Sequence, residues 1–484
     1  MEPTRINELL DNFFSYVHAK NPILDENATR DTILSIVVNG VDWSPESCLT
    51  FLICALGSIA TPFGPSLNTM PGTIAYNSAQ SFFTAAQHRI GLALCADDTL
   101  AAQCLFLSGV YMMCTFQPVR AWRFFLQALA FCQQFSFLHP PSQGQQPTSS
   151  DQEATPSPPA RGETSLPRYT LDTLQQAIYW SSWKSEREMR DGDVGHRLPD
   201  FSPPHRGRDL QLYPPFFPTP PAPRHETAGA PVNSRLARER TSWYFYLAEI
   251  SLRRLAERVA AEMVRLHDEA TTRGETRAQF LAALAEAVPG YEEQTREWII
   301  SLPTCLSFDM PAEEDDVCRF VLRGHAVNLF ELIYWPFLAA LMDSLAGDSW
   351  YPDGHPMPAN MVRLAQKALD HHLMRLAVNR PGYRHRHHGT IPMMQSCSRS
   401  ALMLVASAKL LKDKAGGGML NLCMPEGWEG EVDEMNDALA FWGTETQEFR
   451  RIHQVLKRAH VSIRAGAAGS VSCHGLNLNL GAQI

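Results

Sequence analysis

Through most of this chain apolar residues recur three and four positions apart, a spacing that only helices can turn to one side. Ala79, Phe82, Phe83, Ala86, Ile90 and Leu94 make one such stripe, and Leu105, Val110 and Met113 belong to a second helical run. The alternation that a half-buried strand needs is scarcely visible. The expected fold is therefore all-α: an irregular multi-helix bundle, interrupted by a disordered Pro/Ser/Gln-rich loop and a Pro/aromatic-rich extended loop. At 484 residues the chain exceeds the size at which single cores stop growing, so two or three packed sub-bundles are expected.

Local signals place the helices. Ser44-Pro45 reads as an N-cap followed by proline at the first helical position, opening an apolar helix that ends near Ala60. Trp122, Phe124, Phe125, Leu126, Leu129, Phe131 and Phe135 surround almost a whole helix circumference, which predicts a central helix here. Further helices are expected from Ser242, around Phe280 to Ala287, from Leu329 with a kink at Pro336, from Met361 to Val378, from Ser400 to Lys412 before Gly416-Gly417-Gly418, and from Trp428 to Arg458. Composition shifts set the boundaries: an N-terminal helical block over 1–138, a disordered linker over 139–168, a C-terminal helical block over 169–460 containing the Pro-rich loop 198–232, and a loose tail over 461–484. In that loop Phe201, Leu210, Leu212, Tyr213, Phe216 and Phe217 stand among the prolines, as in a segment laid extended over a helical surface.

Charge bounds the function. The balance of 42 basic against 51 acidic residues, net −9, gives no general affinity for phosphate backbones. Arg235, Arg238, Arg240, Arg253, Arg254, Arg258 and Arg265 cluster along one helical region and read as a solvated face rather than a phosphate-binding surface. The 11 cysteines are scattered, without the dense spacing of a disulfide scaffold, which fits a reduced intracellular compartment. The acidic, amphipathic start MEPTRINELLDNFF is not a secretory signal, and the longest apolar stretch, Cys48 to Ala60, is too short to span a bilayer. A soluble protein is expected.

The most informative wording is LQQAIYWSSWKSEREMRDGDVGHRLPDF from Leu174, followed by a proline-rich tail ending YPPFFPTPP. With SWYFYLAEISLRRL (Ser242 to Leu255), EWIISLPTCLSFD from Glu297, LIYWPFL (Leu332 to Leu338) and, ahead of them, FFSYVHAKNPILDE from Phe13, it resembles the fungal-specific transcription factor domain, the middle homology region of fungal zinc-cluster regulators. The resemblance covers roughly residues 9 to 410, and its specificity lies in the order of blocks that are individually degenerate. It implies a nuclear regulator of RNA polymerase II transcription, for instance of a metabolic or secondary-metabolite gene set. It maps family-motif positions, structural in role, onto Trp180, Trp183, Glu186, Arg187, Glu188, Trp243, Tyr246, Arg254, Trp298, Pro303 and Pro336. The implied partners are a DNA-binding regulator in a homo- or heterodimer, a coactivator and a small-molecule effector, with no membrane.

Two departures matter. Trp335 stands where the family commonly has arginine before the proline. The zinc cluster, which grips its metal with cysteine pairs two residues apart, has no counterpart, since no Cys-x-x-Cys occurs. No cofactor is therefore expected in this chain, zinc entering only with an upstream module, and no DNA-binding residue is identified. The expectation is a fragment of a full regulator or a co-regulator that reaches DNA through a partner.

Other constellations have simpler readings. Glu186 with Arg190 and Lys184 with Glu188 are four apart and read as helical ion pairs rather than a catalytic acid and base. His385, His387 and His388, with His371 and His372 upstream, read as a basic surface loop rather than a metal site, because Arg384 and Arg386 would repel a cation. Glu313, Glu314, Asp315 and Asp316, and Asp97-Asp98, suggest helix starts more than the paired acidic motifs of all-helical enzymes. No catalytic or metal residue is assigned. Trp428, Val432, Met435, Leu439 and Trp442 form an apolar stripe read as docked on the bundle rather than presented to a coactivator. The alternative function is an all-helical enzyme or a small-molecule sensor with a pocket between the helical blocks.

Overall fold

A computed structural model describes residues 3–96, 98–138, 169–191, 214, 216–222, 234–346, 357–414 and 422–464. Among them the chain is all-α, without strands. The helices are α1 (Pro3–Asn12), α2 (Glu26–Asn39), α3 (Pro45–Ile59), α4 (Ile74–Gln87), α5 (Ile90–Ala93), α6 (Thr99–Cys114), α7 (Pro118–Cys132) and α8 (Leu171–Asp191), then α9 (Ser234–Thr272), α10 (Arg277–Ile300), α11 (Val317–Ala346), α12 (Ala359–Asn379), α13 (Thr390–Lys414), α14 (Trp428–Trp442) and α15 (Gln447–Arg464). Their starts follow local chemistry. Ser44 Oγ accepts the Ser47 amide at 3.1 Å with Pro45 at the first helical position, and Asp98 Oδ1 accepts the Ala101 amide at 2.9 Å to open α6. Thr276 and Gln279 close a reciprocal capping box at α10.

In the N-terminal group α6 lies between α3, α7 and α8. Every residue of α6 but Leu100 is buried. The expected central helix, α7, is instead one-sided: Ala121, Trp122, Phe125, Ala128 and Cys132 are buried, while Phe124, Leu126, Leu129 and Phe131 are only half-buried. Aromatic bulk drew attention to α7, but small residues allow the closest approach. A Cβ on Gly109 would lie 2.5 Å from the Phe125 ring, so the absence of a side chain at Gly109 lets that ring pack directly on the α6 backbone.

In the C-terminal group α11 packs along α12 and against α9, α10 and α13, and the α14–α15 pair covers α12 and α13. Buried apolar residues of both groups join in one core from Ile6 to Leu456. Helix α8 packs on α6 and α7. The turn His18–Lys20, which follows a π turn over Phe13–Val17, lies against α9, and α13 touches α6.

Several boundaries differ from expectation. Helix α10 runs through Pro289 instead of ending before it, and α13 starts ten residues earlier than its apolar pattern indicates. The run from Trp428 to Arg458 is two helices that break at Gly443. Its stripe is docked, since Val432, Met435, Leu439 and Trp442 are buried. Pro336 is buried inside α11, which continues past it. By length and composition α11 could cross a membrane, with half of its most apolar window buried in the fold. The linker 139–168, most of the loop 198–232, Gly416 to Gly418, Asp97, Cys473 and the tail beyond 464 lie outside the described residues, whereas 461–464 continue α15.

Candidate functional site

The segment from Tyr383 to Gly389, expected as a basic surface loop, is interior: His385, Arg386 and His387 are 2%, 3% and 6% exposed. Each is paired with residues far away in sequence. His385 Nδ1 lies 3.0 Å from Gly64 O and 3.3 Å from Ser66 Oγ, and the Arg386 amide donates to Ser66 Oγ at 3.0 Å. The Arg386 guanidinium donates to Thr69 Oγ1 at 3.1 Å, to Cys114 O at 2.7 Å and to Glu445. It faces the rings of Trp442, Phe116 and Tyr76 at 5.1 to 5.6 Å. A planar cation with every edge matched can be buried where an ammonium could not.

Next to Arg386, His387 Nδ1 accepts the Gly389 amide at 3.1 Å and faces Lys20 Nζ at 3.2 Å. Two donors on Nδ1 leave the ring proton on Nε2, and that buried nitrogen has no acceptor among the described residues. Gly389 is required here, because a Cβ would lie 2.7 Å from the His387 ring. The ring of His385 stacks on His387 at 5.4 Å, and half-buried His388 meets it edge-on at 6.3 Å.

The second part of this seam joins α8 to α9. Lys184 Nζ donates to Glu249 Oε2 at 2.5 Å, and both side chains are 5% exposed. Arg253 holds Glu249 Oε1 at 3.0 Å and reaches Glu188 at 3.4 Å, and His325 Nε2 lies 3.7 Å from Glu249. Tyr246 donates to Ala177 O at 2.7 Å and contacts Ser181 Oγ at 2.9 Å. Burial alone would raise the Glu249 carboxyl, but Lys184, Arg253 and His325 reverse this and hold it well below its ordinary value. Burial lowers Lys184 despite Glu249, and lowers Lys20 to about 8. It also lowers His385 and His325 to about 4, with help from Lys20 and Arg253 respectively. His387 falls well below 6.5 by burial and then by Lys20. The expected helical pair Lys184–Glu188 does not form: Lys184 bonds α9 and Glu188 bonds Arg253. The pair Glu186–Arg190 forms, with Arg190 Nε at 3.1 Å, and Glu186 also accepts Trp122 Nε1 at 3.0 Å.

The other singled-out positions of these blocks have their own partners. Trp180 is fully buried and donates to Phe216 O at 2.9 Å, and Trp183 meets it edge-on at 5.7 Å. Arg254 donates to Pro214 O and to Phe216 O, the second at 3.2 Å, and stacks on Phe217 at 4.1 Å. Between them Trp180 and Arg254 strap the described part of the Pro/Phe segment onto α8 and α9. Trp243 Nε1 donates to Tyr169 OH at 3.3 Å and Trp298 Nε1 to Ser251 Oγ at 2.8 Å. Arg187 is half-buried, as is Pro303, which opens a 3-10 turn at Thr304. Half-buried Trp335 lies edge-on to His372 at 6.3 Å, beside the Arg375–Glu331 pair.

Other singled-out groups are dispersed. His372 is buried with Nδ1 3.0 Å from Ser400 Oγ, and His371 donates to Lys367 O at 2.7 Å. The acidic run divides: Glu313 and Glu314 are exposed, Asp315 is buried against Arg323 at 2.7 Å, and Asp316 caps α11. Of the arginines on α9, Arg240 and Arg258 are exposed, Arg265 pairs with Glu262 and Glu269 on the same helix, and Arg238 grips Glu26 at 2.8 Å. Expected as one solvated face, they divide between seam and surface. Among the described residues no group of three or more His, Cys, Asp or Glu is placed to hold a metal.

The site residues missed in the sequence are Lys20, Glu249 and Arg386. Lys20 and Glu249 lie within quoted blocks, so their place in those blocks was the available signal. No protein-family model, curated protein or solved structure matches this chain.

Proposed function

We propose that this chain is the regulatory body of a fungal transcription regulator, acting in the nucleus on RNA polymerase II transcription, with DNA contact supplied by another module or a partner protein. The observation that carries the reading is that the blocks of the resemblance meet each other. Lys184 of YWSSWKSERE holds Glu249 of SWYFYLAEISLRRL at 2.5 Å, and Trp180 and Arg254 of the same two blocks both donate to Phe216 O in the Pro/Phe tail. Lys20 of the opening block lies in the same seam, against His387. A shared wording with a shared interior is what a common regulatory fold requires. The regulator forms a homo- or heterodimer, and its output passes through a coactivator.

Deleting the coding sequence in its own host and measuring transcripts across the genome tests this reading. The expected result is a defined gene set changed several-fold and restored by re-expression, including by a variant in which Glu313 and Glu314 are both glutamine. An unchanged transcript profile would sink the proposal. Loss of rescue in that exposed acidic variant would favour the enzyme alternative.

A further inference from the structure

Lys20 is 3% exposed, and among the described residues its ammonium has one polar partner, the neutral ring of His387 at 3.2 Å. No carboxylate lies within 4.0 Å of it among the described residues, and the nearest buried acid of the seam, Glu249, is already shared by Lys184 and Arg253. On the other edge of the same imidazole, Nε2–H is buried without an acceptor among the described residues, and the Oδ1 of the adjacent Asn21 is likewise unpartnered among them. A buried cation without a counter-charge, next to a buried donor without an acceptor, is an arrangement that folding does not favour unless something else completes it.

We propose that Lys20 and His387 are the polar end of an interior binding site for a small organic acid, whose carboxylate supplies the missing negative charge. The surroundings of this polar end are apolar: Phe63 and Phe320 lie beside His385 and His387, with the thiols of Cys114 and Cys318 near Lys20. Arg386 is not part of this recognition, because its donors are already matched to Cys114 O, Thr69 and Glu445. The inference goes beyond the regulatory reading, since binding can fail while the transcript result stands, or the reverse.

The test is thermal unfolding of the purified full chain titrated with sodium acetate, with sodium chloride at equal ionic strength and sodium phosphate as separate arms. The expected result is a saturable rise in the unfolding midpoint with acetate, at least about tenfold weaker in apparent affinity in Lys20→Met. His387→Gln, which keeps a donor and an acceptor and guards against misfolding of the first variant, should weaken acetate by a smaller factor. Equal shifts from chloride, shifts with phosphate and not acetate, or an acetate response unchanged in both variants would each overturn the proposal. So would the absence of any saturable shift.

Discussion

Lys184 and Glu249 show what a buried charge requires. Removing one partner strands the other in a dry interior, and such losses cost about 3–5 kcal/mol, whereas replacing both by apolar groups of similar size is often near neutral. Glu249→Gln is therefore expected to destabilise by about 3 kcal/mol, because Lys184 and Arg253 lose their shared acceptor charge. The double variant Lys184→Met/Glu249→Leu should recover much of that loss in urea unfolding. A double variant as unstable as the sum of its singles would mean that the two side chains contribute independently, which would contradict a coupled buried pair. At this scale the site was only partly legible. Glu186–Arg190 could be read because its partners share one helix turn. The interior place of Arg386 could not, since its partners Thr69, Cys114 and Glu445 lie hundreds or tens of residues away and leave no periodic trace.

Helices were legible where chemistry is local. Ser44-Pro45 and Asp98 announce α3 and α6 in their first turns, and the stripe on α14 shows its buried face. Boundaries were lost where tertiary contacts override local preference. Pro289 is itself exposed and is carried inside α10 by the buried residues Leu284 and Val288 before it and Tyr291 and Thr295 after it, and the first turns of α13 are buried against the rest of the fold although their polar residues break the stripe. The Thr276–Gln279 box at the exposed start of α10 is purely local. Thr276→Ala should cost about 1 kcal/mol by calorimetry. A cost near zero would show that α10 is held by packing alone.

For the whole molecule the interior histidines set the response to acid. Burial lowers His372 to about 3 and His385 to about 4, below their ordinary 6.5. The unfolded chain therefore takes up protons that the folded chain refuses. The histidines' contribution to stability is complete above about pH 7 and falls as pH drops from 6.5 towards 4, by about 1.4 kcal/mol per pH unit for each such histidine. Burial raises the carboxyls of Glu431 and Glu445, which act in the opposite sense and flatten the lower end of the profile. Chemical unfolding from pH 8 to pH 5 should show this decline, reduced in His372→Gln/His385→Gln. A profile rising towards acid would contradict the buried, neutral placement of these rings.

The proposed regulatory role belongs to this largest scale, because it would need the helical groups assembled across the seam. The most direct measurement is to fuse the chain to an unrelated DNA-binding domain and record a reporter gene bearing that domain's sites in a fungal nucleus. The account predicts reporter output changed several-fold relative to the DNA-binding domain alone, and lost when Glu249→Gln loosens the seam. Output indistinguishable from the DNA-binding domain alone, with the fusion folded and nuclear, would contradict it.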